Sequence, residues 1–344
     1  MDQITRIGVD TSKSVFQLHG VGAQEHPVLR KKLRRQQVLS FFATLAPTKI
    51  GIEACGASHH WARELGKLGH EVVLLPPQYV KPYVMRGKND AADAEAICEA
   101  MSRPKMRFVA VKSAGQQAAQ MLLGVREGLL RRRTQVSNQI RGYAAEFGLV
   151  AAKGLARIET LLAELAEDAS LPSLAKELFV VLAGQYRHAD AQLREIDVKL
   201  TALHRSDEQS RRLAEIPTIG PITATALSAK VTDPNAFRSA RDFAAWLGLT
   251  PKDHSTAGKS RLGKITRAGD EMLRSLLVNG AMAVIKQVMH GKGHPSAWLV
   301  ALLKRKPLKL VAVALANKMA RVAWKLMTCG ERYDPSRVEV VGGA

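Results

Sequence analysis

Aromatic side chains are scarce in this chain: only 5% of its 344 residues are Phe, Trp or Tyr. A nucleic-acid partner would therefore be gripped by its phosphates and helical shape more than by stacking on single bases. Cysteine is scarcer still. Cys55, Cys98 and Cys329 are odd in number and widely spaced, with no Cys-x-x-Cys pair. That argues against structural zinc and for a reducing cytoplasm, and Cys55 reads as a buried spectator thiol. No stretch approaches the roughly 20 uninterrupted apolar residues needed to span a bilayer. The opening Met1-Asp2-Gln3-Ile4-Thr5-Arg6 lacks a signal-peptide pattern. These absences lead us to expect a cytoplasmic protein with no membrane partner. No repeat of 20–50 residues and no low-complexity tract is visible.

Acidic residues are in short supply too, 31 against 51 Lys and Arg, for a net charge of +20 and a pI near 10.1. Such a field favours a polyanion, of which nucleic acid is the common one. The imbalance is uneven: 16 basic against 10 acidic side chains in residues 1–110, 15 against 12 in 111–213, and 20 against 9 in 214–344. The last segment is expected to hold much of the phosphate contact.

The few acids that remain near the start fall in informative places. Asp10 closes the apolar run Ile4-Thr5-Arg6-Ile7-Gly8-Val9, and Glu53 closes Lys49-Ile50-Gly51-Ile52; both runs read as strands. Asp90 and Asp93 lie three apart on a helix with Asn89 or Asp90 near its N-cap, so both point to one side. Carboxylates at two strand ends and one helix face suit a hard, oxygen-seeking cation such as Mg²⁺. Two such cations about 4 Å apart would clamp a phosphate under attack and its leaving oxygen. Taken singly, each of the four reads first as a solvated charge or, for Asp90, as a helix cap; it is their joint placement that points to a site.

Hydrophobic period gives the layout. Strands are predicted at 4–10, 14–21, 27–33, 48–54 and 71–76, with a helix through His59-His60-Trp61 between the last two. Adjacent helical residues diverge by about 100°, so His59 and His60 do not read as joint metal ligands. Leu122, Val125, Leu129, Val136, Ile140, Tyr143 and Phe147 form one coiled-coil-like seam, and Leu193, Ile196, Leu200 and Leu203 a second. The expected fold is an α/β domain over 1–112, an antiparallel helical hairpin over 113–210 that serves as a spacer or dimer arm, and a mostly helical domain over 211–344. Pro172 and Gly184 read as interruptions of the hairpin.

Three segments read as nucleic-acid contacts as well as by blander alternatives. Arg131, Arg132, Arg133, Asn138 and Arg141 form a helical face, or a solvated arginine run. Glu215 to Ala224 resembles the hairpin of a helix-hairpin-helix element, with a tight turn at Gly220 freeing N–H groups for phosphate, or is a plain interhelical turn. Thr218 stands where such hairpins usually have their first glycine. Asp253-His254-Ser255-Thr256-Ala257-Gly258-Lys259-Ser260-Arg261-Leu262-Gly263-Lys264 gathers hydroxyls, glycines and cations in one mobile loop, which suits phosphate handling or mere backbone grip. Consecutive Asp253, His254 and Ser255 are not a catalytic triad, because their side chains point apart.

Together with Gly51-Ile52-Glu53-Ala54-Cys55-Gly56, Lys88-Asn89-Asp90-Ala91-Ala92-Asp93, Asn138-Gln139-Ile140-Arg141-Gly142, Leu247-Gly248-Leu249-Thr250-Pro251-Lys252 and the tail helix around Asn317, these segments run nearly end to end in one order. In that order the chain resembles insertion-sequence transposases that join a RuvC-like (RNase H-like) DEDD domain to a C-terminal serine transposase domain, relatives of the Piv-type DNA invertases. The resemblance implies a recombinase guided by a structured noncoding bridge RNA that pairs with donor and target double-stranded DNA. It also implies a homo-tetramer, Mg²⁺ on Asp10, Glu53, Asp90 and Asp93, and a serine that attacks the phosphodiester to give a covalent 5′-phosphoserine link. Motif position assigns that serine to Ser255, with Thr256 and then Ser260 as fallbacks; Thr218 and Ala257 stand where relatives often have glycine. Lys259, Arg261, Lys264 and Arg267 would contact the nucleic acid. Two rivals stand beside this reading: a RuvC-like metal nuclease that uses water and does not need Ser255, and a non-enzymatic RNA- or DNA-binding protein that needs neither site.

Overall fold

A computed structural model describes residues 3–85, 90–152, 154–256, 258–259, 261–292 and 295–336. By internal contacts the chain forms two compact units, Met1–Gln117 and Ala118–Ala344.

The first unit is built on a five-stranded sheet of β1 (Ile4–Thr11), β2 (Val15–Gly22), β3 (Pro27–Arg34), β4 (Lys49–Glu53) and β5 (Glu71–Leu75), in the order β3-β2-β1-β4-β5. β1, β2 and β3 are antiparallel neighbours, while β4 and β5 run parallel to β1. All five strands lie where the alternation predicted them. One face of the sheet buries Ile7, Val9, Ile50 and Ile52 against helix α1 (Val38–Phe42) and helix α2 (Ser58–Lys67), with Trp61 and Leu65 at the centre. The other packs on α3 (Pro77–Val80) and α4 (Asp90–Ala100) through Leu75, Val80, Ile97 and Met101.

Two strand glycines decide how closely α4 approaches. Gly8 and Gly51 are register partners on β1 and β4. A Cβ on Gly8 would sit 2.2 Å from the Ala94 carbonyl oxygen, and one on Gly51 2.8 Å from Met101 Sδ. Only a bare backbone admits the helix at that depth, which is why glycines interrupt otherwise apolar strands.

The second unit opens with α5 (Ala114–Glu146), a helix that starts at the end of the first unit, followed by α6 (Ile158–Glu167) and α7 (Ser173–Ser206). α5 and α7 are antiparallel partners. Arg126 pairs with Asp197 and Arg133 with Asp190, both at 2.6 Å, so a step of seven forward on α5 matches seven backward on α7. Ile140 and Ala144 then meet Phe179, Ala183 and Tyr186, and α6 closes this end with Ile158, Leu161 and Leu165. Pro172 is the N-cap of α7, as an interruption should be, but Gly184 lies inside that helix and does not break it. A helix fixed on one side by packing tolerates a glycine at a cost of about 1 kcal/mol.

The remaining elements are α8 (Glu208–Leu213), α9 (Pro221–Lys230), α10 (Ala240–Trp246), the two-stranded β6 (Pro251–Asp253) and β7 (Leu262–Ile265), α11 (Glu271–Met289), α12 (Ala297–Arg305) and α13 (Leu308–Cys329). Their core gathers Leu227, Phe243, Leu277, Ile285, Val311 and Ala316. No helix among the described residues is long and apolar enough to cross a membrane.

Candidate active site

Asp10 and Glu53 occupy the C-terminal ends of the adjacent parallel strands β1 and β4. They project from the same sheet face as Gly8 and Gly51, the face that α4 covers. Asp90 opens α4 and Asp93 follows one turn on. Asn89, the other expected cap, lies outside the described residues. The glycine seat draws the first turn of α4 against the strand end, so Asp10, Asp90 and Asp93 each offer a carboxylate oxygen within 4.8 Å of the others. Glu53 borders this group.

The electrostatics follow. Burial, reinforced by the charges of Asp93, Asp90 and Glu53, pushes the Asp10 carboxyl up to about 6, against only a modest opposing hydrogen bond from the Thr11 backbone. Glu53 is raised as well, first by burial and then by Asp93. Like charges this close resist simultaneous ionisation unless a cation joins them. An all-oxygen donor set of this kind fits a hard divalent cation, and a soft one poorly.

His59 is buried; its Nδ1 accepts the Lys112 backbone N–H at 3.2 Å, and burial with Lys112 and Arg63 lowers it to about 4. It is a structural acceptor, and not a ligand paired with His60. Cys55, expected buried, is exposed, with its Sγ 3.6 Å from Thr11 Oγ1, because it follows β4 in the turn above the sheet. The glycine pair is what sequence reasoning missed at this site. Two glycines in the middle of apolar strands were the available signal of a close backbone approach.

In the second unit, Ser255 is exposed at the end of a β-hairpin, where a mobile loop was expected. His254 N–H donates to the Arg261 carbonyl, and Thr256 and Lys259 exchange backbone bonds, continuing the β6–β7 ladder. The Arg261 backbone N–H donates to Ser255 Oγ at 3.0 Å, and the Ser255 backbone N–H donates to Asp253 Oδ1 at 2.8 Å. The Ser255 side chain and N–H together hold the Asp253 carboxyl below its usual range. Thr256, Lys259, Arg261 and Lys264 are exposed on the same hairpin; Ala257 and Ser260 lie outside the described residues.

The turn between α8 and α9 differs from expectation in its detail. Gly220 has φ −83° and caps α9 with Pro221 at its first position, so it is not the tight left-handed residue. That conformation falls on Thr218, at φ +93°, whose Oγ1 is buried without a partner. On α5, Arg132 and Asn138 are exposed, and Arg131 pairs with Glu127 on its own helix. Arg133 is held by Asp190, and Arg141 donates to the Gly154 carbonyl at 2.6 Å, so both guanidiniums bind the protein itself. Arg267 is exposed, with φ +57°.

Comparison with known proteins names the class. Residues 7–147 match the DEDD transposase domain of IS110-type elements, and residues 210–293 match the Transposase IS116/IS110/IS902 family. A transposase of Sinorhizobium fredii, y4pF/y4sB, is 64% identical over 97% of this chain and 86% of its own length. The transposase for insertion sequence element IS1328 of Yersinia enterocolitica is 40% identical over 97% of this chain and its full length. The transposase for IS1111A of Coxiella burnetii is 38% identical over 97% of this chain and 92% of its own. The chain belongs to the IS110/IS116 family of insertion-sequence transposases, enzymes that cut and rejoin DNA.

Proposed function

We propose that this transposase recombines DNA through two centres, an acidic one that holds Mg²⁺ and a serine that carries the cut strand. The observation that supports it most directly is the convergence of Asp10, Asp90 and Asp93 within 4.8 Å, with Glu53 coupled to them. Those four carboxylates would hold the metal. When bound, it would supply Lewis-acid stabilisation of charge on the phosphate. The strand order and mixed direction of the first unit support a RuvC-like, RNase H-like reading of residues 1–112.

In the serine step, Ser255 Oγ attacks phosphorus. The new P–O bond forms as the bond to the 3′ oxygen breaks, leaving a 5′-phosphoserine and a 3′-hydroxyl. The Oγ proton is lost to a base and a proton is returned to the leaving oxygen, so the sum is balanced. The Asp253 carboxylate orients the hydroxyl, and the Arg261 N–H stabilises charge building on Oγ. Lys259, Arg261 and Lys264 supply positive charge near the phosphate. Attack by a second strand's 3′-hydroxyl reverses these events and restores a phosphodiester without ATP.

The further parts of the reading concern partners. A bridge RNA would pair with donor and target DNA. Residues 113–210 would form the arm of a tetramer, a role supported by Leu174, Leu178 and Val181, exposed along one stripe of α7. Residues 211–344, with a helix-hairpin-helix-like turn at Gly220 and with the exposed Arg267, would hold backbone, as would Arg131, Arg132, Asn138 and, once released from their partners, Arg133 and Arg141.

The test is a suicide DNA substrate. Wild-type protein should form a covalent adduct on a peptide spanning Asp253–Lys259, and Ser255→Ala should lose adduct and recombination while still binding nucleic acid. An adduct retained by Ser255→Ala but lost by Thr256→Ala moves the nucleophile one residue. Cleavage with no adduct in any variant makes the enzyme a hydrolytic metal nuclease.

A further inference from the structure

The register of the sheet carries the acidic centre's row outward into a groove of opposite charge. Asp10 on β1 is the register partner of Gln17 on β2, and Gln17 of Lys32 on β3; one step along, Gly8, His19 and Arg30 align in the same way. Register partners on neighbouring strands project from one face. Gln17, His19, Arg30 and Lys32 therefore lie on the face that carries Asp10, while Lys31 turns to the opposite face, where its Nζ is 4.6 Å from the Phe41 ring centroid. Helix α4 packs across β1 and β2, and the space left beyond it over β2 and β3 is a groove of about 410 Å³. Its α4 wall is Ala91 and Ala92, the two small residues between Asp90 and Asp93, with Glu95 one turn further on. Its outer wall is Arg30 and Lys32 on the exposed edge strand, with Gln17 in the floor.

We propose that this groove is a DNA-backbone subsite of the acidic centre, holding the phosphodiester next to the bond being cut. The proposal rests on the reading of Asp10, Glu53, Asp90 and Asp93 as the cleavage centre. Its geometry is that of a track. Two inter-strand steps put Lys32 about 10 Å from Asp10, roughly one or two nucleotides along a strand. The alanines leave room for a sugar–phosphate chain to pass over the first turn of α4. Lys32 meets phosphate oxygens as a point charge, and the Gln17 amide donates to them. Arg30 contributes less, because Glu95 stands 3.9 Å from both its guanidinium and His19 Nδ1. A cluster of four carboxylates repels DNA, and this groove supplies the compensating charge on the same sheet face. The subsite reads no base, so sequence choice lies elsewhere.

The experiment uses the full-length protein and a DNA carrying the element's own ends, with strand cleavage followed at several salt concentrations. For the double variant Arg30→Ala/Lys32→Ala we expect a KM for DNA raised about tenfold or more, and a salt slope reduced by roughly one, most of it from Lys32. Lys32→Arg should retain both values. Mn²⁺ affinity, measured on the protein without DNA, should not change. A structural defect would lower the melting temperature and leave the salt slope alone; were the double variant unfolded, the single exposed change Lys32→Gln would give the same reading. Asp10→Asn is run beside them. If Asp10→Asn still cuts, the cleavage-centre reading fails. If Asp10→Asn is inactive but the double variant keeps wild-type KM and salt slope, the groove proposal fails. It fails equally if the double variant loses RNA retention with its KM for DNA unchanged.

Discussion

At Asp10 the energetic cost of building the site can be measured. A carboxyl raised from 3.8 to about 6 binds more protons folded than unfolded across that interval. Its contribution to stability therefore falls as pH rises from about 4 to 6, and the penalty is complete above that. Asp10→Asn removes the penalty, so its melting temperature relative to wild type should climb across the same window and then level. Solvent screening of this half-buried carboxyl reduces the penalty to roughly 1 kcal/mol, a gain of about 2–4 °C at neutral pH. Millimolar Mg²⁺ should raise the wild-type melting temperature and leave Asp10→Asn nearly unmoved. A difference between the two proteins that stays flat with pH would refute the electrostatic account. A second residue, Thr218, offers the opposite experiment. It is β-branched, at φ +93°, with a hydroxyl buried and unpaired. Thr218→Gly should stabilise the enzyme by about 1–2 kcal/mol in denaturant unfolding, the relief of strain outweighing glycine's entropy.

Among the elements, the strands were legible because each alternates or ends in a recognisable turn, and β1 and β4 carried their acids at the end of an apolar run. The acidic helix was legible from Asp90 and Asp93, but the depth at which it docks depends on Gly8 and Gly51 meeting across two strands. That is a non-local fact a linear reading does not contain. Local propensity marks Gly184 as a break because it ignores the packing of Ala183 and Tyr186 on either side of it. The glycines and lysines of the serine segment are loop-like, whereas the ladder through His254, Arg261, Thr256 and Lys259 shows only once the two strands pair. The arginine run on α5 also divides only in three dimensions. Arg133 and Asp190 are each about 18% exposed, and Arg133 is the first cause of the depressed Asp190 carboxyl. Arg133→Ala should cost about 2 kcal/mol at neutral pH. Because that stabilisation is lost as pH falls through the folded pKa of Asp190, the gap from wild type should shrink below about pH 4. Arg132→Ala should leave the melting temperature unchanged and weaken nucleic-acid binding. If the two variants exchange these effects, the division between structural and contact arginines is wrong.

Across the whole molecule, the two proposed centres fall in separate units, the acids in Met1–Gln117 and the serine hairpin in Ala118–Ala344. Each unit buries apolar cores drawn from its own residues: Ile7, Ile50, Trp61 and Ile97 in the first, Leu227, Phe243, Ile285 and Val311 in the second. A unit with its own core and a closed set of strand partners meets the condition for folding alone. The positive charge is divided as well, with 20 basic against 9 acidic side chains over residues 214–344 and a much smaller excess over residues 1–110. A fragment of residues 1–117 should therefore unfold cooperatively and show a Mg²⁺-dependent gain in melting temperature that Asp10→Asn abolishes. It should bind DNA more weakly than the full chain, with a shallower dependence of log affinity on log salt, because fewer phosphates are neutralised. It should form no covalent DNA adduct, since Ser255 is missing. An unfolded fragment would tie the acidic unit's stability to the rest of the chain. A folded fragment without the Mg²⁺ response, beside a full-length protein that has it, would mean that the metal needs ligands beyond Asp10, Glu53, Asp90 and Asp93.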